Sequence, residues 1–259
     1  MYAFTAQQQS AWQQFFDCLH PLLDKQMPLR KALDFTVSDS TFSDPDLMFA
    51  HTCGYPLMKH QRDRVAPVCV PIFDVPGCNG RLYSSHFIVP ASSDIKQLQD
   101  CRGKTVAMNN ADSNSGMNVL RHAIADLHPG GHFFAEVVET GGHLYSIEAL
   151  ANGLAELAAI DAVSFQLIKD DQPALCANIR IIGSSTQSCG LPFVAPLALS
   201  AQLDKPGLVE QFNLALAQTP AEARRVLHLS RFEAVEWADY ASIPALESDA
   251  IECGYPQLI

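Results

Sequence analysis

Asn109-Asn-Ala-Asp-Ser-Asn-Ser-Gly-Met-Asn118 is a run of small hydrogen-bonding side chains. It follows a short apolar stretch and opens a segment with helical spacing. Serine hydroxyls and asparagine amides are neutral donors. Gly116 lets backbone approach a ligand closely, and a helix start leaves backbone N–H groups without intrahelical partners. Ser113, Asn114 and Ser115 can therefore cradle an oxyanion with aimed dipoles, without lysine or arginine. The same residues also suit a plain helix cap. Three further positions carry similar alternatives. His143, after Thr140-Gly-Gly, is a ligand donor or a surface residue of a helix start. Tyr83, at a strand start, is a pocket wall or a core ring. Asp161 accepts from a ligand N–H or P–OH, or caps the next helix. Cys53 with His51 or His143 would be a thiol nucleophile and its base. No Gly-x-Ser-x-Gly elbow or third partner at a fixed spacing supports that chemistry.

Positioning these residues requires alternating elements. Helical spacing of Trp12, Phe15, Phe16, Leu19 and Leu23 predicts a helix over 8–24. Strands are expected at 46–50, 65–73, 83–89, 105–108, 133–140, 157–160 and 179–182. Helices are expected at 95–98, 116–127, 143–152, 162–169, 208–217 and 221–229. The tract 74–80 is a turn cluster. Strands alternating with helices call for an α/β fold with largely parallel sheets.

The chain has 259 residues, 48% of them hydrophobic and 17% charged, which is a globular composition with enough interior for a sizeable core. A formal net charge of −11 argues against nucleic acid and anionic lipid as partners. No apolar run is long enough to span a bilayer. The Gln-rich start has no basic n-region followed by an apolar h-region, so the sequence shows no export signal. Eight cysteines include no CxxC pair, and no metal site or cofactor is expected.

One ordered set of segments is more specific than its members. It comprises Thr52-Cys-Gly-Tyr-Pro56, Pro76-Gly-Cys78, Tyr83-Ser-Ser85, Asp112-Ser-Asn-Ser-Gly116, Gly142-His143, Ala159-Ile-Asp161 and Gly190-Leu-Pro-Phe193. The set resembles the phosphate, phosphite and phosphonate substrate-binding proteins of ABC transporters, which have the type 2 periplasmic-binding-protein fold. The resemblance runs from Met1-Tyr2 to Gly254-Tyr-Pro256. It implies two lobes, each a mostly parallel sheet flanked by helices, with lobe one at 1–85 plus 193–259 and lobe two at 86–192. Two crossover segments join them, and the ligand cleft lies between.

The resemblance also implies a binding protein and not an enzyme. The ligand is a small oxyanion, the further partner an ABC transporter permease, and the protein a monomer. The implied ligand contacts are Tyr2, His51, Thr52, Tyr83, Ser113, Asn114, Ser115, His143 and Asp161. A Cys53–Cys78 disulfide is expected if the protein is exported. The family is periplasmic, whereas this sequence without an export signal reads as cytoplasmic if its start is genuine. In three places the chain departs from the family pattern. It opens at the Met-Tyr pair, without the signal peptide and first strand that normally precede it. His51 stands where the family usually has Gln, and Asn114 stands where phosphonate binders have Thr. The alternatives are a cytoplasmic ligand-sensing homologue and an enzyme on the same fold, like those of thiamin-pyrimidine synthesis.

Overall fold

A computed structural model describes residues 2–23, 33–36, 38–125, 127 and 132–258. The expected end of the first helix at Asp24 and the Met1 of the Met-Tyr pair lie outside them. In chain order the elements are α1 (Ala6–Leu23), β1 (Ala50–His51), α2 (Gly54–His60), β2 (Val65–Phe73), β3 (Cys78–Asn79), β4 (Leu82–Tyr83), β5 (Ser85–Pro90) and β6 (Thr105–Met108). A π-helical turn (Asn114–Asn118) runs into α3 (Val119–Ala125), followed by β7 (Glu136–Glu139), α4 (His143–Ala151), β8 (Leu157–Asp161), α5 (Ala162–Asp171), α6 (Pro173–Cys176) and β9 (Ile179–Ser184). Then come β10 (Ser188–Cys189), β11 (Phe193–Pro196), α7 (Leu197–Ser200), α8 (Lys205–Gln218), α9 (Ala221–Leu227), β12 (Leu229–Ala234) and α10 (Ser242–Glu252).

The chain divides into two compact units, Met1–Asp74 with Gly190–Asp239, and Val75–Cys189 with Tyr240–Ile259. These bounds differ from the expected ones. Residues 75–85 and 240–259 belong to the second unit and residues 190–192 to the first, so the chain passes between units three times, not twice. The cause is visible in packing. Asn118 and Arg121 hydrogen-bond to the carbonyls of Ile243 and Pro256, which holds the C-terminal segment in the second unit.

The first unit is built on β2, all nine of whose residues are buried. It lies between β11 and β12, with β1 outside β11, and every pairing is antiparallel. The largely parallel arrangement expected from the strand–helix alternation does not hold here. Two prolines sit inside β2, where a central strand normally excludes them. The β11 register shifts opposite Pro67, between Phe193 and Val194. Opposite Pro71, both backbone groups of Phe232 pair with the Asn213 carboxamide, at 2.8 and 3.0 Å. The helix α1 buries Trp12, Phe15, Leu19 and Leu23 at helical spacing. Phe15 stacks on Phe232 at 5.1 Å, and the Trp12 indole donates to the Tyr2 carbonyl at 2.9 Å. The strand expected at 46–50 shrinks to Ala50–His51, because Asp44 turns the chain by accepting from the N–H groups of Asp46 and Leu47. The strand β12 occupies part of the tract read as helix to 229.

The second unit carries a five-stranded sheet in the order β7-β6-β8-β5-β9. The strand β6 is parallel to β7 and β8, whereas β5 pairs antiparallel with β8 and β9. A small antiparallel sheet, β10-β4-β3, stands beside it in the chain. The strand expected at 83–89 is broken at Ser84, whose N–H and hydroxyl both donate to the Gly77 carbonyl. The helix expected at 95–98 is a 3₁₀ turn at Leu98–Cys101, and the strand expected at 133–140 is reduced to Glu136–Glu139. Among the described residues no helix is long and apolar enough to cross a membrane.

Gly77 is required by this geometry. Its φ of +96° lies in the region side chains avoid, and a Cβ there would sit 2.8 Å from Ala162 Cβ and 3.0 Å from His86 Cε1. Gly77→Ala is expected to cost about 3 kcal/mol and several degrees of melting temperature. A variant melting with the parent protein would show that the 75–84 turn relaxes freely.

Candidate functional site

Three parallel strands of the second unit end side by side, and each feeds a helical segment. After β6 comes the 109–113 loop and the π-helical turn, after β7 the 140–142 loop and α4, and after β8 the helix α5 directly. Carboxyl ends of parallel strands followed by helix starts form the polar crevice of α/β sheets, because unpaired N–H groups converge there. This topology explains why residues far apart in sequence meet. Ser113, Ser115, His143 and Asp161 all belong to these three strand ends.

At the first strand end, Ser113 caps the π-helical turn, accepting from the Gly116 N–H at 3.0 Å. The cap reading is therefore true, and it coexists with the cluster around it. Gly116 has no room for a side chain, since a Cβ would lie 1.8 Å from Asn109 Oδ1. The hydroxyls of Ser113 and Ser115 are 3.4 Å apart. Ser115 Oγ is 2.8 Å from His143 Nε2, which is also 3.2 Å from Asp161 Oδ2. Asn114 donates from Nδ2 to the Tyr83 hydroxyl at 3.1 Å. Ser113, Asn114, Ser115, Tyr83, His143 and Asp161 are all buried.

Thr140 fixes where α4 begins. Its N–H and hydroxyl donate to the Met108 carbonyl, and its Oγ1 meets Ser146 Oγ at 2.7 Å. Asp161 caps α5 through the Ser164 N–H at 2.9 Å. Burial lowers the His143 pKa, opposed by the Asp161 carboxylate, so the imidazole is neutral near pH 7. A carboxylate facing Nε2 demands a proton on that nitrogen. Nδ1 is then a bare acceptor, buried and without a partner among the described residues. Burial and the nearby Asp161 carboxylate push the Cys78 thiol up to about 12.

The sequence reading omitted two residues that hold this cluster. Asn118 donates from Nδ2 to Asn114 Oδ1 and to the Ile243 carbonyl, both at 3.0 Å. Arg121 donates to Asn118 Oδ1 at 2.9 Å and to the Pro256 carbonyl at 2.8 Å, and meets Glu247 Oε1 at 3.4 Å. Asn114, Asn118 and Arg121 lie four and three apart, which puts them on one helix face.

The remaining expected contacts lie in the first unit. Tyr2 packs edge-on against His51 and Phe73, at 5.7 and 5.1 Å. His51 Nε2 is 3.0 Å from the Leu191 carbonyl, and burial holds the imidazole well below its ordinary pKa. Thr52 donates to Gln61 Oε1 at 3.0 Å. The expected Cys53–Cys78 bridge is not formed. Neither cysteine is in a disulfide, and they belong to different units, not one lobe. Among the described residues no group of three or more His, Cys, Asp or Glu is placed to hold a metal ion.

Comparison with known proteins matches residues 3–241 to the family described as ABC transporter, phosphonate, periplasmic substrate-binding protein. Curated protein sequences give no match. Among solved structures, a binding-protein component of an ABC phosphonate transporter from Pseudomonas aeruginosa superposes with a TM-score of 0.69 at 18% identity, covering 94% of this chain and 83% of that one. PhnD1 from Prochlorococcus marinus, in complex with methylphosphonate, gives 0.68 at 14% identity, covering 94% of both chains. The periplasmic aliphatic sulphonate binding protein SsuA from Escherichia coli gives 0.59 at 15% identity, covering 92% of this chain and 83% of that one. At these identities the structural likeness speaks to fold, which is a mixed α/β periplasmic-binding-protein fold.

Proposed function

The chain belongs to the periplasmic substrate-binding proteins of phosphonate ABC transporters, and on that premise we propose that its second unit holds the phosphoryl group of phosphate, phosphite or a small phosphonate for delivery to a permease. The observation that supports this most is the buried run Ser113, Asn114 and Ser115 at a helix entry, with Tyr83, His143 and Asp161 against it. Neutral donors and helical N–H groups can neutralise an anion without a cationic side chain. That fits an acidic chain of net charge −11.

Asp161 narrows the ligand class. A carboxylate repels a fully deprotonated anion but accepts from a P–OH group. The cluster therefore favours a ligand that carries one acidic proton near neutral pH, as phosphate and phosphonates do. Sulfate, and sulfonates that lack another donor group, offer no proton there. His143, proton on Nε2, links the Asp161 carboxylate to Ser115 and so orients the acceptor and the donor together.

Four of the thiols offer an enzymatic reading no activated nucleophile. Burial raises Cys69, Cys78, Cys101 and Cys176, and a raised pKa starves the thiolate form.

Thermal melting of ligand-stripped protein with phosphate, phosphite, methylphosphonate, aminoethylphosphonate, sulfate and methanesulfonate tests the proposal. A ligand at 100 times its Kd is expected to add about 2.7 kcal/mol. The phosphorus acids should shift the melt, and Ser115→Ala should weaken that shift. A shift from sulfate and methanesulfonate alone would overturn the ligand class.

A further inference from the structure

Among the described residues, two buried hydroxyls of the second unit have no hydrogen-bond partner, Ser85 Oγ and Ser188 Oγ. Ser85 is fully buried and Ser188 nearly so. A hydroxyl kept from water without a partner is disfavoured, and such groups are rare in folded proteins. Finding two beside one polar cluster calls for a common cause.

Strand register places both. Ser85 on β5 lies directly opposite Asp161 on β8. Ser188 on β10 lies directly opposite Tyr83 on β4, and Cys78 on β3 lies opposite the same Tyr83 from the other side. Residues directly opposite in an antiparallel pair project from the same face. Ser85 therefore shares a face with the Asp161 carboxylate, and Ser188 shares one with Tyr83 and Cys78. The small sheet is tied to the cluster at two points. The Tyr83 hydroxyl receives Asn114 Nδ2, and the Cys78 thiol lies close enough to Asp161 to feel its charge.

We propose that the hydroxyls of Ser85 and Ser188 are ligand contacts that donate to oxygens of the bound oxyanion. This rests on the function proposed above and adds a second bank of donors to it. Ser113 and Ser115 approach from the helix entry, whereas Ser85 and Ser188 approach from strands. Donors from separate elements suit a tetrahedral oxyanion, whose oxygens point in several directions, better than a planar carboxylate.

The test exploits the missing partners. Alanine at either position removes no hydrogen bond made among the described residues, so Ser85→Ala and Ser188→Ala should melt, without ligand, at or above the parent temperature. Their calorimetric Kd for methylphosphonate, or for whichever of phosphate and phosphite the parent binds, should rise about tenfold or more, the worth of a hydrogen bond to a charged group. Unchanged Kd in both variants, with Ser115→Ala impaired, would overturn this inference and leave the proposed function standing. A fall in unliganded melting temperature with unchanged Kd would also overturn it, by giving the hydroxyls a structural role. A parent protein that binds none of the three ligands would remove the proposed function, and this inference with it.

Discussion

Lowering the pH from 7 to 5 is expected to strip several kcal/mol from the stability of the unliganded protein. Three imidazoles are responsible. His51, His86 and His143 are buried, and burial lowers the pKa of each from the ordinary value of 6.5. The unfolded chain takes up a proton at each near that value, whereas the folded chain resists until lower pH. The unfolded state thus binds more protons below pH 6.5. Stability rises with pH through that window and is lost as pH falls. Each imidazole contributes up to about 1.4 kcal/mol per pH unit, and the three together up to about 4.

Asp39, Asp100 and Glu222 have lowered carboxyl pKa values, through Arg64, the Lys96 backbone and Arg225. They are exposed and act only at lower pH, which keeps the two effects separate. Urea denaturation at pH 7, 6 and 5 measures the slope directly, and His51→Gln should remove one proton's share. Equal midpoints at pH 7 and 5 would show that the buried imidazoles are charged or hydrated in the folded state.

Arg121→Ala is expected to cost about 3–5 kcal/mol, which for a chain of this size is a fall of roughly 10 °C in melting temperature. The Arg121 side chain is 3% exposed and the Glu247 side chain 13%. Truncation removes the guanidinium from a mostly buried carboxylate, and strips donors from Asn118 Oδ1 and the Pro256 carbonyl. Breaking a buried pair on one side costs more than the pair itself contributes, because the remaining group stays out of water. Asn118 also holds Asn114, so residual binding to the folded variant should be weaker than its stability alone dictates. Arg121→Lys should recover only part, since one ammonium cannot reproduce the forked contacts to Asn118 and Pro256. A melting temperature within a degree or two of the parent would mean that solvent replaces Arg121 at little cost.

The amino-acid sequence determined the local chemistry of this protein. Donor-rich 109–118, the Gly-His step at 142–143 and Asp161 after an apolar strand are short-range patterns. Ser113 and Asp161 cap their helices as their types require. Helix 143–151 and the strands at 65–73, 105–108 and 157–161 follow from periodicity and burial, which act over a few residues. Tertiary structure alone decided the rest. Sheet direction in the first unit depends on which distant strands flank β2, and β11 and β12 lie more than a hundred residues away. The 240–259 segment joined the second unit through Arg121 and Asn118, whose partners no local pattern announces. Cys53 and Cys78 form no disulfide, and they fall in different units, since the chain passes between units at residue 74 and not beyond residue 85. Hydrogen bonds and charges reward proximity in space, and only the assembled sheet supplies that proximity.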